Sequence, residues 1–344
     1  MNRWSVAQAR KTRQLSALRE QTFQAIVDTF APLAHFDLAP SDKDRIVLEL
    51  KGAEIPTPDP TLNWLQTSDL VLPVLRRTTR EGVLVDDGLQ VVPWTYGVVA
   101  GGSDPVGDAD QVLKAEILSG TRRPFGVRRR GRVEQVAIAI RGDPHTVTIR
   151  LISRADESKR LAGYQVYSKS PTDGDLTYVG FTNVAGELAI APADGRLQML
   201  YLKNGKQLLA RVPVLPVAET VIEIALPDDD PRLQAEATLT ALRENLIDLV
   251  ARRNILVARI RQELQADNLD VARTLIAELD DLPGRAQFNR QLNEQEGRHR
   301  SGEAQIQRRI DKLFADTRIV LGHFLDSREV DQLRDELRAA QSGG

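Results

Sequence analysis

The sequence predicts a multidomain α+β protein with an N-terminal helix, a β-rich barrel or roll, a central seven-strand β-sandwich and a C-terminal all-α hairpin or bundle. Three observations lead there. All three Trp and all five Tyr lie before residue 202, and past Pro227 only Phe288, Phe314 and Phe324 remain of the large aromatics. Tyr and Trp favour strands, whereas the Leu, Ala, Glu, Arg and Gln that dominate afterwards favour helix. Apolar residues alternate in short runs before that boundary and recur at three- and four-residue steps after it. The length, 344 residues, accommodates two or three domains at about 150 residues each.

Composition narrows the function classes. Hydrophobic residues make up 42% and charged residues 27%, a globular balance. Lys plus Arg number 46 against 48 Asp plus Glu, a formal charge of -2, so no bulk field advertises a nucleic acid or a membrane. The chain has no cysteine, which removes disulfides, thiolate nucleophiles and Cys-ligated metal sites together. Met1–Ala31 starts with basic residues as a secretory signal does, yet lacks the run of about 7–15 apolar residues that a signal needs. Charges interrupt every candidate for a membrane span of about 18 apolar residues, so the expectation is a soluble chain.

Residues 1–32 read as one amphipathic helix. Leu15, Leu18, Thr22, Ile26 and Phe30 fall three or four apart, and Arg3, Arg10, Lys11, Arg13 and Arg19 precede the first acid, Glu20. Such a helix covers an open β-surface, or lies on an anionic membrane or a partner. Residues 33–143 read as a β-rich module. Arg45–Leu50, Leu70–Leu75, Val83–Val85, Val91–Ala100, Gln111–Leu118 and Val133–Ile140 supply its short strands, and Ile55–Pro60 is extended because each proline biases its predecessor away from helix.

Residues 144–227 carry about seven strands, a density that suggests two packed sheets. Val147, Ile149 and Leu151 share one face, as do Ile222, Ile224 and Leu226, and Asn204-Gly205 suits a type I′ hairpin. Two stretches are the most distinctive: Leu161-Ala162-Gly163-Tyr164-Gln165-Val166, and Gly180-Phe181-Thr182-Asn183-Val184-Ala185-Gly186-Glu187-Leu188. Asn183 can close an Asx-type turn and Gly186 can supply a left-handed residue. With these pieces, the segment resembles a transthyretin-like, carboxypeptidase-regulatory-like β-sandwich. The resemblance implies an accessory, non-enzymatic domain and inclines the expected address toward the cell envelope or periplasm. A minority branch of the family hydrolyses a purine-derived ring with histidines and arginine. This segment has only His145, at its edge, and lacks that branch's closing Tyr-Arg-Gly-Ser motif, so no catalytic residue carries over.

Residues 228–344 read as a helical hairpin or bundle. Pro227–Pro231 is a linker ending in a helix start, with Asp230 as N-cap and Pro231 in the first helical position. Leu239, Leu242, Leu246, Leu249, Leu256, Ile260 and Leu264 form a stripe interrupted at Arg253. Helices are also expected over Asp270–Leu282, from near Ser301 through Phe324, and over Glu329–Ala340. The long stripe is buried either by folding back in an antiparallel hairpin or by a protein partner, including self-association in a coiled coil.

Candidate chemistry concentrates in one segment. Arg122, Arg123, Arg128, Arg129, Arg130 and Arg132 occur within eleven positions that hold no acid. Guanidinium groups grip phosphate, sulfate or carboxylate bidentately, so the segment can bind a polyanion, a lipid head group or nucleic acid. The competing reading is a solvated loop. The glycine-rich Val99–Gly107 stretch lacks the Gly-Lys-Ser/Thr ending of a phosphate loop. Asp173-Gly174-Asp175 and Asp228–Asp230 lack calcium-loop spacing and suit turns and caps. His35, His145, His299 and His323 lie far apart, and no acid–base or nucleophilic grouping stands out, so no catalytic, cofactor or metal residue is expected. The sequence therefore points to a non-catalytic structural or adaptor protein, with an anion-binding module acting through Arg122–Arg132 as the alternative.

Overall fold

The computed structural model describes residues 11–29, 31–39, 44–51, 65–100, 112–125, 132–140, 144–170, 175–193, 197–216, 221–326 and 328–342. It is mixed α+β: a short N-terminal helix, a β-rich stretch and a set of C-terminal helices. The chain divides into two compact units, one comprising Met1–Ile152 with Arg160–Ile224, the other Ser153–Lys159 with Ala225–Gly344.

In the first unit, α1 (Leu18–Thr29) follows a single 3-10 turn. Leu15 of that turn and Leu18, Phe23 and Ile26 of α1 remain exposed, so these positions do not cover a sheet. Seven strands follow: β1 (Leu33–Leu38), β2 (Arg45–Leu50), β3 (Leu70–Thr78), β4 (Leu84–Val91), β5 (Thr95–Ala100), β6 (Val112–Ser119) and β7 (Arg132–Ile140). Their order is β4-β3-β5-β6-β2-β1-β7, and β7 pairs again with β3, so six strands close on themselves with every pairing antiparallel. Alternation puts Phe36, Ile46, Leu48, Val71, Val99 and Leu113 into one buried cluster, closed by small Ala34, Ala115, Ala137 and Ala139. The Val91–Ala100 stretch divides in two. β4 stops at Val91, and Trp94 takes a positive φ of 52° directly after Pro93, which has no N–H to donate.

The next seven strands are β8 (Val147–Ser153), β9 (Gln165–Lys169), β10 (Thr177–Phe181), β11 (Glu187–Ile190), β12 (Gln198–Asn204), β13 (Gln207–Val214) and β14 (Val221–Leu226). They form a four-stranded sheet, β10-β9-β12-β13, and a three-stranded sheet, β11-β8-β14. The turn before β11 forms as its residues require. Asn183 Oδ1 accepts from the Ala185 and Glu187 N–H groups at 2.9 Å each, and Gly186 sits at φ +72°. The buried Thr182 hydroxyl donates to the Leu161 carbonyl at 2.8 Å and accepts from the Tyr164 N–H at 3.0 Å. The β12–β13 hairpin turns one residue later than its Asn-Gly pair suggests. Asn204 still pairs with Gln207, the loop is Gly205–Lys206, and only Gly205 has positive φ, the type II′ pattern. Leu197 and Leu215, which flank β12 and β13, are buried with Leu70 and partly buried Tyr96, Val98, Leu118 and Ile140 from the ring's outer side. Those contacts join ring and sheets into one unit.

The second unit holds α2 (Asp230–Gln265), α3 (Leu269–Asp281), α4 (Arg285–Arg298), α5 (Ala304–Phe324) and α6 (Arg328–Ser342). Helix α2 has Pro231 in its first turn and its N-cap at Asp229, one residue before the aspartate that composition favours. The α2 stripe is buried within the chain in two halves. Leu239, Leu246 and Leu249 pack with Phe288, Leu292, Ile306, Ile310 and Phe314, while Leu256, Val257 and Ile260 pack with residues of α3 and α6. Arg253 falls between the halves, and its guanidinium donates to the Asp326 carbonyl at the α5–α6 junction, 3.4 Å away. The break in the stripe therefore marks where α2 changes partners. Helix α4 has no sequence stripe, because Phe288 and Leu292 alone provide its buried face.

Candidate functional site

The arginine segment connects β6 to β7. Arg122 and Arg123 are exposed just after β6, and exposed Arg132 opens β7 opposite Thr78. Arg128, Arg129 and Arg130 lie outside the described residues. Phe125 anchors the segment's first half, with its ring 5.2 Å from Phe36 at the ring's apolar core. The start of the segment also has a defined neighbour. A Cβ placed on Gly120 would stand 2.7 Å from the Arg211 carbonyl and 3.3 Å from Pro213, so β13 runs against the chain two residues before Arg122.

From Arg211 a row of side chains crosses the whole four-stranded sheet. Tyr178 of β10 pairs with Tyr167 of β9, Tyr167 with Tyr201 of β12, and Tyr201 with Arg211 of β13. Val166, Leu200 and Leu202, on the alternate positions, are fully buried, which puts the tyrosines on the opposite, outward face. Tyr178 and Phe181 are 47% and 55% exposed. The Tyr178 ring meets Tyr167 at 5.3 Å and Phe181 at 5.6 Å, both edge to face. The Lys203 ammonium stands 4.4 Å over the Tyr167 ring, and the Arg211 guanidinium 5.7 Å from the Tyr201 ring, two cation–π contacts.

Charge separates the two sheets. The four strands of the tyrosine sheet contain Lys169, Lys203 and Arg211 and no Asp or Glu. The three-stranded sheet neutralises itself: Arg150 bridges Glu187 at 2.6 Å and Glu223 at 3.0 Å, and Arg160 lies 3.8 Å from Glu223. Two carboxylates hold the Arg150 pKa above its ordinary value.

Elsewhere, several ionisable groups pair within the fold. Asp229, fully buried at the start of α2, accepts from Arg232 Nε and Nη2 at 2.7–2.9 Å, and Arg232 also bridges Glu236 at 2.6 Å. Burial lifts the Asp229 carboxyl above its usual range despite that guanidinium. Burial opposes the Arg232 charge too, but Asp229 and Glu236 together outweigh it and raise its pKa. Lys159 bridges Asp228, which fixes the Ser153–Lys159 loop to the same corner. The histidines serve separate elements: His35 Nδ1 lies 3.3 Å from the Gln135 carbonyl, His299 Nε2 is 3.1 Å from the Thr238 hydroxyl, and the His323 ring packs on Phe324. Among the described residues no group of three or more His, Cys, Asp or Glu is arranged to hold a metal ion, and no helix is long and apolar enough to cross a membrane.

Compared with known proteins, the chain matches no family model, no curated protein and no solved structure. The tyrosine row is the feature that sequence reading missed. Each tyrosine is visible as an alternating strand residue, but the alignment of three across neighbouring strands depends on register, which no single strand encodes.

Proposed function

We propose that this chain is a non-catalytic structural or adaptor protein that holds a partner on the outward face of its four-stranded sheet. The observation that carries the reading is the Tyr178–Tyr167–Tyr201–Arg211 row on a face whose strands bear cations and no acid. Tyrosine and arginine dominate binding energetics because they present large rigid area with a polar end, and acids are depleted from contact cores. The commitment of the buried charges to ion pairs within the fold points the same way. We also read residues 144–227 as a transthyretin-like sandwich. Support comes from the division of seven strands into sheets of four and three, with β8 between β11 and β14, and from the Asn183–Gly186 turn. The closed pairing of β3 with β7 supports a barrel for the preceding module.

The arginine segment is a second contact region within this reading, favoured by the approach of Gly120 to Arg211. Site-specific photo-crosslinking in the source cell tests the proposal. A photoreactive residue at Tyr178 should give adducts, whether discrete with a protein or dispersed with a polymer, and one at Ala189, exposed on the other sheet, should give none. Equal labelling from both positions, or from neither, overturns it.

A further inference from the structure

We propose that the tyrosine–cation face binds an acidic polysaccharide, one bearing carboxylate or sulfate groups, whose chain lies across the strands. The inference rests on the binding role assigned above to this face and names its ligand. Charge selects an anion: the four strands of this sheet carry Lys169, Lys203 and Arg211 and no acid, whereas the neighbouring sheet pairs Arg150 with Glu187 and Glu223. Spacing selects an extended chain. Strand neighbours stand about 4.8 Å apart, close to the advance of one sugar ring along an extended polysaccharide. One sugar per strand then runs the chain past Tyr178, Tyr167 and Tyr201 in turn, with Arg211 at the end of the track.

Ring orientation separates a polysaccharide from single-stranded nucleic acid. Consecutive bases stack on aromatic platforms that face them squarely. Here Tyr178 is tilted 63° from Tyr167 and 71° from Phe181, so neighbouring rings cannot all lie flat under stacked bases. Sugar C–H groups and hydroxyls accept both ring faces and tilted phenol edges. Lys203, held above Tyr167, supplies the charge for an acidic substituent in mid-track.

The test is affinity electrophoresis and calorimetric titration of the full chain with polygalacturonate, neutral dextran, poly-L-glutamate and an oligothymidylate. Polygalacturonate should bind and dextran should not. Tyr178→Ala and Tyr201→Ala should each weaken binding about tenfold, whereas Tyr178→Phe, which keeps the ring, should lose far less. Arg211→Gln should weaken binding and flatten its salt dependence, because one fewer counterion is exchanged. Circular dichroism of each variant confirms that the sheet is intact. Poly-L-glutamate or oligothymidylate binding as tightly as polygalacturonate would overturn the ligand class, as would wild-type binding by Tyr178→Ala. If Tyr178 crosslinks in the cell while polygalacturonate fails to bind, this inference falls and the adaptor reading stands. If the crosslinks are absent too, both fall.

Discussion

Gly186 illustrates what one residue contributes to this fold. Its φ of +72° is left-handed, and a Cβ there would lie 2.6 Å from the Leu151 carbonyl. Gly163 has a similar φ, +77°, but open space around it. Gly163→Ala should therefore cost about 1–2 kcal/mol, the price of a left-handed side chain. Gly186→Ala should cost clearly more, since backbone must also move; equilibrium denaturation of the two variants compares them directly. The Asn183–Gly186 turn was readable in the sequence because its chemistry is local: a side chain reaches backbone two and four residues on. The tyrosine row was not, since Tyr167 and Tyr201 are distant in sequence and become neighbours only through pairing. For the same reason the Asn204-Gly205 pair gave the hairpin but misplaced its turn by one residue.

Helices show which larger features composition reveals. The α2 stripe announced itself over many turns, and its interruption at Arg253 proved to separate two packing surfaces. Helix α4 stayed invisible, because two apolar residues among charged ones define no period and its burial comes from neighbouring helices. At the head of α2, sequence suggested an ordinary cap, while the folded chain buries Asp229 against Arg232. Removing Asp229 takes from buried Arg232 the acceptor of its Nε and Nη2 groups, so Asp229→Ala should destabilise the protein by about 3 kcal/mol. The double variant Asp229→Leu with Arg232→Met removes both charges and should cost less than the single change. Chemical denaturation of wild type, single and double variants reads the difference; a double variant weaker than Asp229→Ala would rule out the stranded-charge account.

The molecule as a whole contains two packing units with different contents, one built of paired strands and one of helices. Each has its own apolar clusters, so scanning calorimetry should resolve more than one transition rather than a single two-state peak. The variants above assign them. Gly186→Ala should lower only the transition that reports on strands, and Asp229→Ala only the helical one, followed by circular dichroism at wavelengths sensitive to each. Movement of both transitions by either variant would show that the units unfold together.

The seam between β3 and β7 has a consequence for how the polypeptide is born. Local hairpins such as β1 with β2 can zip as soon as they leave the ribosome, but Leu70–Thr78 must wait for Arg132–Ile140 before the ring shuts. Until then β1 and β3 keep unpaired backbone along one side, an adhesive border on a half-made protein. A ribosome stalled before Arg132 should therefore display a nascent chain that aggregates or recruits chaperones, and one stalled well after Ile140 should not.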